Sequence, residues 1–255
     1  LRDLAKVETR VRFSLPAPGI YYMKRYLQNI NPLHFSCYPK FRNTVLDYCA
    51  DDSTGEPLQW YKINDQGFRG NDFENSTDIL FLGCSITFGV AMPPEEIFPH
   101  LVAQELNCSY VNISKPGAAP DTCFRFAQHW IPKLNPKHVV YLQPPYGRFE
   151  ILVKEDGLHQ PGIMTVHTEY GHESEVYYEL TQNSTNIEIT YLKNKLAINH
   201  VCSEHDAIFH FVNLGRFMKS NNGTFKDAAR DGIHPGKDTH KDIADSIINK
   251  IRRVG

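Results

Sequence analysis

The sequence lacks an excess of charge of either sign. Its 29 acidic and 27 basic side chains leave a formal net charge of -2. That is too weak a field to drive phosphate-led binding, so no nucleic-acid partner is expected. The short basic cluster Lys250, Arg252 and Arg253 closes a helical pattern and reads as cations at the negative pole of a helix dipole. No apolar run reaches the roughly 18 residues of a membrane-spanning helix, so no transmembrane segment is expected. Nor does a basic stretch followed by an apolar one open the chain as an export signal would. Zinc-type spacings are also missing. His200, Cys202 and His205, like His167, His172 and Glu173, are metal-capable but fit no recognised motif, and no metal is expected. Asn112 to Gly117 lacks the glycines and the lysine of a phosphate-cradling loop, and no cofactor is expected.

Six cysteines, Cys37, Cys49, Cys84, Cys108, Cys123 and Cys202, are scattered with no CxxC pair. A chain of 255 residues buries a core without covalent staples, so they read as free thiols, with a Cys37 to Cys49 bridge as the open alternative. Asn-x-Ser/Thr triplets at Asn75, Asn107, Asn112, Asn183 and Asn222 would accept glycans in a secretory setting, though such triplets recur by chance. The chain begins at Leu1 rather than at a methionine, which leaves room for an upstream segment. Compartment therefore stays open, the cytoplasm slightly favoured over secretion, and nothing sets the oligomeric state.

Residues 1–61 are rich in Tyr, Pro and Phe without sustained periodicity, and predict an N-terminal extension that packs on the main body, with a short helix near Tyr21 to Asn29. From residue 62 a regular alternation follows. Asp78 to Gly83 is an apolar run suited to a strand buried on both faces. Next come a helix over Pro94 to Leu106, a strand over Ser109 to Ile113, a helix from Asp121 to Leu134 with Asp121 as its cap, and a strand over His138 to Leu142. Residues 144–185 form a polar insertion too long for an ordinary connection and read as a lid or substrate-facing element. A helix over Ile187 to Cys202, a strand over Ala207 to Val212 and a terminal helix with the stripe Ile243, Ala244, Ile247, Ile248 and Ile251 complete the pattern. Alternating strands and helices imply a parallel sheet covered on both faces, with reactive groups at the carboxyl ends of the strands.

Two constellations carry chemistry. Gly83-Cys84-Ser85-Ile86-Thr87 directly follows the first buried strand, which places a serine at its carboxyl end. Arg230-Asp231-Gly232-Ile233-His234-Pro235-Gly236 precedes the terminal helix. A serine hydroxyl is a poor nucleophile until an imidazole takes its proton, and that imidazole needs an acceptor to fix its tautomer. Asp-x-x-His lets one loop supply both. Cys84 reads as a small packing residue, Thr87 as a local hydrogen-bonding group, and Arg69 as an ion-pair partner rather than a substrate clamp.

Ser85 in a Gly-x-Ser-x-Thr setting, a glycine at 117 after the second strand, Asp-x-x-His before the last helix and the lead-in Asn64-Asp65-Gln66-Gly67-Phe68-Arg69-Gly70 together resemble the SGNH/GDSL hydrolases over residues 62–255. The resemblance implies a three-layer α/β/α sandwich of flavodoxin-like kind with a parallel sheet. It also implies ester or acyl chemistry without a metal. In that reading Ser85 is nucleophile and oxyanion donor, His234 general acid/base, Asp231 its orienting carboxylate, and Gly117 a second oxyanion N–H. Two departures stand out. The family's Gly-Asp-Ser is Gly83-Cys84-Ser85 here, and the asparagine donor expected after the third strand is replaced by Gln143-Pro144-Pro145-Tyr146-Gly147-Arg148. The prolines have no N–H, so Gln143 is the first candidate for the missing donor, with Tyr146 and Arg148 behind it and also expected to bind substrate. The expected activity is hydrolysis of short-chain carboxylic or carbohydrate esters, Tyr170, Tyr177 and Tyr178 of the insertion suiting a sugar. An acyltransferase with the same triad and a non-catalytic glycan-binding derivative are the alternatives.

Overall fold

The computed structural model describes residues 36–38, 42–48, 58–74, 76–155, 158–165, 184–218 and 224–254. The helix expected at 21–29, Cys49, the His167, His172 and Glu173 group, and Tyr170, Tyr177 and Tyr178 lie outside them. In chain order the strands and α-helices are β1 (Thr44–Tyr48), β2 (Leu58–Ile63), β3 (Ile79–Leu82), α1 (Ser85–Phe88), α2 (Phe98–Leu106), β4 (Tyr110–Asn112), α3 (Pro120–Leu134), β5 (His138–Leu142), β6 (Arg148–Glu155), β7 (Leu158–Thr165), α4 (Ser184–Glu204), β8 (Ile208–Val212) and α5 (Lys237–Arg252).

The apolar runs make the sheet. Ile79, Leu80, Phe81 and Leu82 carry no polar side chain and are fully buried, so β3 takes an inner position where both faces are covered. β4 and β5 flank it in parallel, with Phe81 opposite Asn112 on one side and Val140 on the other, and β8 pairs with β5, giving the order β4-β3-β5-β8. The chain steps from β3 outward to β4, then back across β3 to β5. Right-handed crossovers therefore put α2 on one face and α3 on the other. The packing agrees: α2 lies against α5, and α3 against α4. This is a three-layer α/β/α arrangement with the flavodoxin-like strand order, whose switch point falls between the carboxyl ends of β3 and β5.

Local chemistry moves several expected boundaries. A single helix from Pro94 to Leu106 would place Pro99 in its interior with no N–H to donate. The chain instead forms a 3-10 turn at Pro94–Glu96, extends at Ile97 (φ -80°, ψ 143°) and starts α2 with Pro99 in the first turn, where the missing donor costs nothing. Pro120 likewise opens α3 behind Ala119, so Asp121 is not its cap. The Asp121 carboxylate accepts from Asn194 Nδ2 at 2.9 Å and from the Glu150 N–H at 3.4 Å, tying α3 to α4 and β6. Asn112 is buried, its amide donating to Thr87 O at 2.8 Å and its oxygen accepting from Ser114, so that triplet offers no surface amide to a glycan. Cys37, Cys84, Cys108, Cys123 and Cys202 are free thiols.

The residue 61/62 division falls inside β2, which pairs with β1 as an antiparallel ribbon. Tyr61 from that strand accepts the Ala91 N–H at 2.6 Å, joining the ribbon to the turn after α1. Within the insertion, β6 and β7 form a second antiparallel ribbon, in register from Arg148 opposite Thr165 to Glu155 opposite Leu158. Its anchor is Glu150, which takes Arg125 Nε and Nη2 at 2.8 Å each and Thr122 Oγ1 at 2.6 Å. Both partners of this ion pair keep only 5% of their side-chain surface. Removing one partner of a buried pair leaves the other charge uncompensated, so Glu150→Ala is expected to cost about 3–5 kcal/mol, read as a lower midpoint in urea unfolding.

Candidate active site

The serine turn is built by close approach. Gly83 follows β3, and a Cβ there would overlap the Thr87 hydroxyl one helical turn on, so only glycine lets the chain fold back so tightly. Thr87 Oγ1 is buried without a hydrogen-bond partner, contrary to the local bond expected of it. Ser85 is the first residue of α1, with Cys84 fully buried behind it, and the helix stops at Gly89 in the left-handed region (φ 79°). A helix N-terminus leaves its first N–H groups without intrahelical acceptors and places positive potential there. Arg69 secures the far end of the turn. Its guanidinium donates to Phe88 O (2.8 Å), Gly89 O (2.6 Å) and Met92 O (2.8 Å) and lies 4.7 Å from the Tyr61 ring centroid. Arg69 thus acts as a carbonyl clamp, and burial draws its pKa down to about 10.

The histidine loop is equally constrained. Asp231 Oδ1 accepts the backbone N–H groups of Ile233 and His234, both at 3.0 Å, while Oδ2 takes His234 Nδ1 at 2.5 Å. Burial pushes the Asp231 carboxyl up. The His234 ring and these two N–H donors outweigh it and hold its pKa below the ordinary carboxylate value. With Nδ1–H given to Asp231, the imidazole presents Nε2 as its acceptor. Asp227 fixes the loop to α5: it accepts the Asp238 N–H (2.8 Å), the Thr239 N–H (2.9 Å) and Thr239 Oγ1 (2.6 Å), capping the helix from nine residues before Gly236. A Cβ at Gly236 would strike Asp227 and the Ala228 carbonyl.

Ser85 and His234 line one cavity of about 350 Å³ at the switch point, together with Gln143, Tyr146 and Arg148. No hydrogen bond joins the serine to the imidazole in this conformation; Ser85 Oγ lies 4.0 Å from Cys84 Sγ. Gln143 follows β5, is buried, and is pinned through its backbone N–H to Val212 O at 3.0 Å. Tyr146 is exposed and packs on Tyr191 at 4.8 Å. Gly117 does not line the cavity. It sits in a left-handed turn (φ 75°) closed by the Ala118 N–H on Lys115 O, and that loop is held beside the serine turn by the Lys115 N–H on Gly83 O at 3.3 Å.

Asn213, Leu214, Met218 and Phe225 also line the wall and have no sequence signal beyond their place after the last strand. Asp227 was detectable as a carboxylate ahead of a helix lacking a capping side chain. Among the described residues no group of three His, Cys, Asp or Glu side chains is placed to hold a metal ion.

No family model matches the chain and no curated protein matches its sequence. Several solved structures are similar to it in fold. An acetyl xylan esterase from the rumen bacterium Butyrivibrio proteoclasticus shares 15% identity over 73% of this chain and 66% of its own, with a TM-score of 0.38. For a psychrotrophic esterase from Pseudoalteromonas sp. the figures are 13%, 71%, 98% and 0.37. For a GDSL-like lipase from Bacteroides thetaiotaomicron they are 14%, 70%, 89% and 0.36. At that distance the chemistry must be read from this chain's own residues.

Behind the histidine loop, His240 on α5 accepts the Phe98 N–H at 3.1 Å, and burial depresses its pKa to about 4; burial does the same to His210 and His129. These rings stay neutral in the fold at pH values where an unfolded imidazole, with its pKa near 6.5, already binds a proton. Their contribution to stability is therefore complete above about pH 7 and is lost as pH drops from about 6.5 toward 4. Thermal melts across that range should show a shallower acid limb in His240→Asn than in the parent; parallel curves would exclude His240 as a source of the slope.

Proposed function

We propose that the chain is a serine esterase acting through an acyl-enzyme on Ser85. The observation that carries this reading is the shared cavity: a helix-N-terminal serine and an imidazole, its Nδ1 held by Asp231 at 2.5 Å, face one space at the sheet's switch point. No hydrogen bond yet joins Ser85 to His234, and catalytic hydrogen bonds of this kind commonly form or tighten only with substrate bound.

In the proposed reaction His234 Nε2 takes the hydroxyl proton as Oγ attacks the acyl carbon, and Asp231 stabilises the resulting imidazolium. The oxyanion is received by the Ser85 N–H and by the Gln143 side-chain amide; Gly117, which does not line the cavity, gives it no donor in this conformation. Collapse expels the alcohol with the proton from His234. Water, deprotonated by the same ring, then releases the acid and restores the serine. The substrate class is a short-chain carboxylic or carbohydrate ester.

Stoichiometric labelling by a fluorophosphonate of the parent but not of Ser85→Ala tests the activated serine. Absence of labelling would instead support a binding module. His234→Ala should lower kcat/KM for a short acyl ester by at least about 10³-fold with little change in Tm, because the ring's duties are chemical. A collapsed melt would mark it as structural. Gln143→Ala should cost about 10²-fold in kcat if its amide serves the oxyanion, and no change would move that duty elsewhere.

A further inference from the structure

Among the described residues, three arginines are drawn into the interior of this fold or its cavity, and in two of them the guanidinium is held by several protein oxygens. Arg125 is paired with Glu150, and Arg69 is spent on carbonyl oxygens. Arg148 is different. It opens β6 directly after the turn that follows β5, lines the cavity that holds Ser85 and His234, and buries Nη1 with no hydrogen-bond partner. A buried guanidinium N–H without an acceptor is costly, and buried polar groups are otherwise almost always satisfied.

Among the described residues that line the cavity there is no Asp or Glu, and Glu188 lines the adjoining groove instead. The position of Arg148 is nevertheless fixed. The Tyr191 hydroxyl donates to Pro145 O and Tyr146 packs on the Tyr191 ring, so α4 holds the turn from which Arg148 emerges. Gly147 supplies that turn's left-handed residue (φ 82°). A planar donor fork held in a small cavity without a counter-charge suits an oxyanion, which it binds with charge-assisted, directional hydrogen bonds.

We propose that Arg148 is a specificity-determining residue that selects esters bearing an anionic group, a carboxylate or phosphate, within a few bonds of the scissile carbonyl. This rests on the assignment of Ser85 as nucleophile for the identity of the reacting bond, but the binding itself does not require turnover. A cavity of about 350 Å³ lies at the small end of ligand sites, so the anion and the ester must belong to one compact molecule.

The test uses the full 255-residue chain with Ser85→Ala, so that esters bind without being consumed. Calorimetry compares matched pairs: 4-nitrophenyl hemisuccinate against 4-nitrophenyl butyrate for an anion on the acyl side, and 4-acetoxybenzoate against its methyl ester for one on the alcohol side. An acetylated glycerol phosphate against acetylated glycerol adds the phosphate arm. In at least one pair the anionic member should bind about tenfold or more tightly. Adding Arg148→Met should bring that ratio near one, and Arg148→Lys should restore part of it; unchanged melts show that both variants fold. No preference in any pair, or a preference that survives Arg148→Met, overturns the proposal. Because the readout is affinity in a protein that already lacks Ser85, failed fluorophosphonate labelling of the parent would sink the esterase reading and leave this result interpretable.

Discussion

The bond from His234 Nδ1 to Asp231 Oδ2 is the contact on which the arrangement of the site depends. It sets which imidazole nitrogen is free, and so decides whether the ring can act on anything in the cavity. A carboxylate and an imidazole three residues apart would ordinarily sample many geometries. Here both oxygens of Asp231 are occupied, one by the ring and one by two backbone N–H groups, so the loop and the side chain fix each other. Hydrogen bonds to charged groups contribute about 1.5–3 kcal/mol, which is the scale that overcomes the burial of Asp231 and the ordering of the ring. Asp227 extends the same logic outward by tying that loop to the first turn of α5.

The other half of the site is delivered by topology. Successive crossovers from β3 leave on opposite faces, opening a crevice between the carboxyl ends of β3 and β5. Ser85 rises from the first strand and Gln143 from the second, while Asn213 and Leu214 follow β8 beside them. The two loops share no sequence proximity with the histidine loop. Packing of α5 against α2 brings that loop over the crevice, with His240 and Phe98 stacked 5.8 Å apart in the contact. The glycines matter where backbone and side chain nearly collide, at Gly83 against Thr87 and at Gly236 against Asp227.

What sequence could reveal was set by the range of the interaction. The buried strands announce themselves by composition, and Ile243, Ala244, Ile247, Ile248 and Ile251 announce α5 by period, because both signals are local. The Asp-x-x-His spacing is local too. Asp121 was misjudged because its partners, Asn194 and Glu150, are 73 and 29 residues away and won over the nearby helix terminus that Pro120 had already opened. Arg69 gives no sequence signal of its clamp because the acceptors are carbonyls 19 to 23 residues on, invisible to any reading of side-chain charge. Pro99 was overlooked as a helix boundary although its missing N–H was legible. The polar insertion gave no period from which a ribbon could be read, since Gly162 and Pro161 interrupt the alternation of β7.

The loop after β5 combines a lack of backbone donors with rigidity. Pro144 and Pro145 remove two N–H groups from the place where an oxyanion would look for them, yet the same rings restrict φ and lower the entropy of holding the turn. Tyr191 takes up the Pro145 carbonyl and Tyr146 stacks on Tyr191, so the segment is braced against α4. Side chains at its two ends, Gln143 before the prolines and Arg148 after Gly147, then face the same cavity as Ser85 from fixed positions. Backbone donors are equivalent in every substrate complex, whereas an amide and a guanidinium differ in charge and reach. In the proposed esterase, donors that differ in this way would discriminate among substrates by the charge those substrates carry.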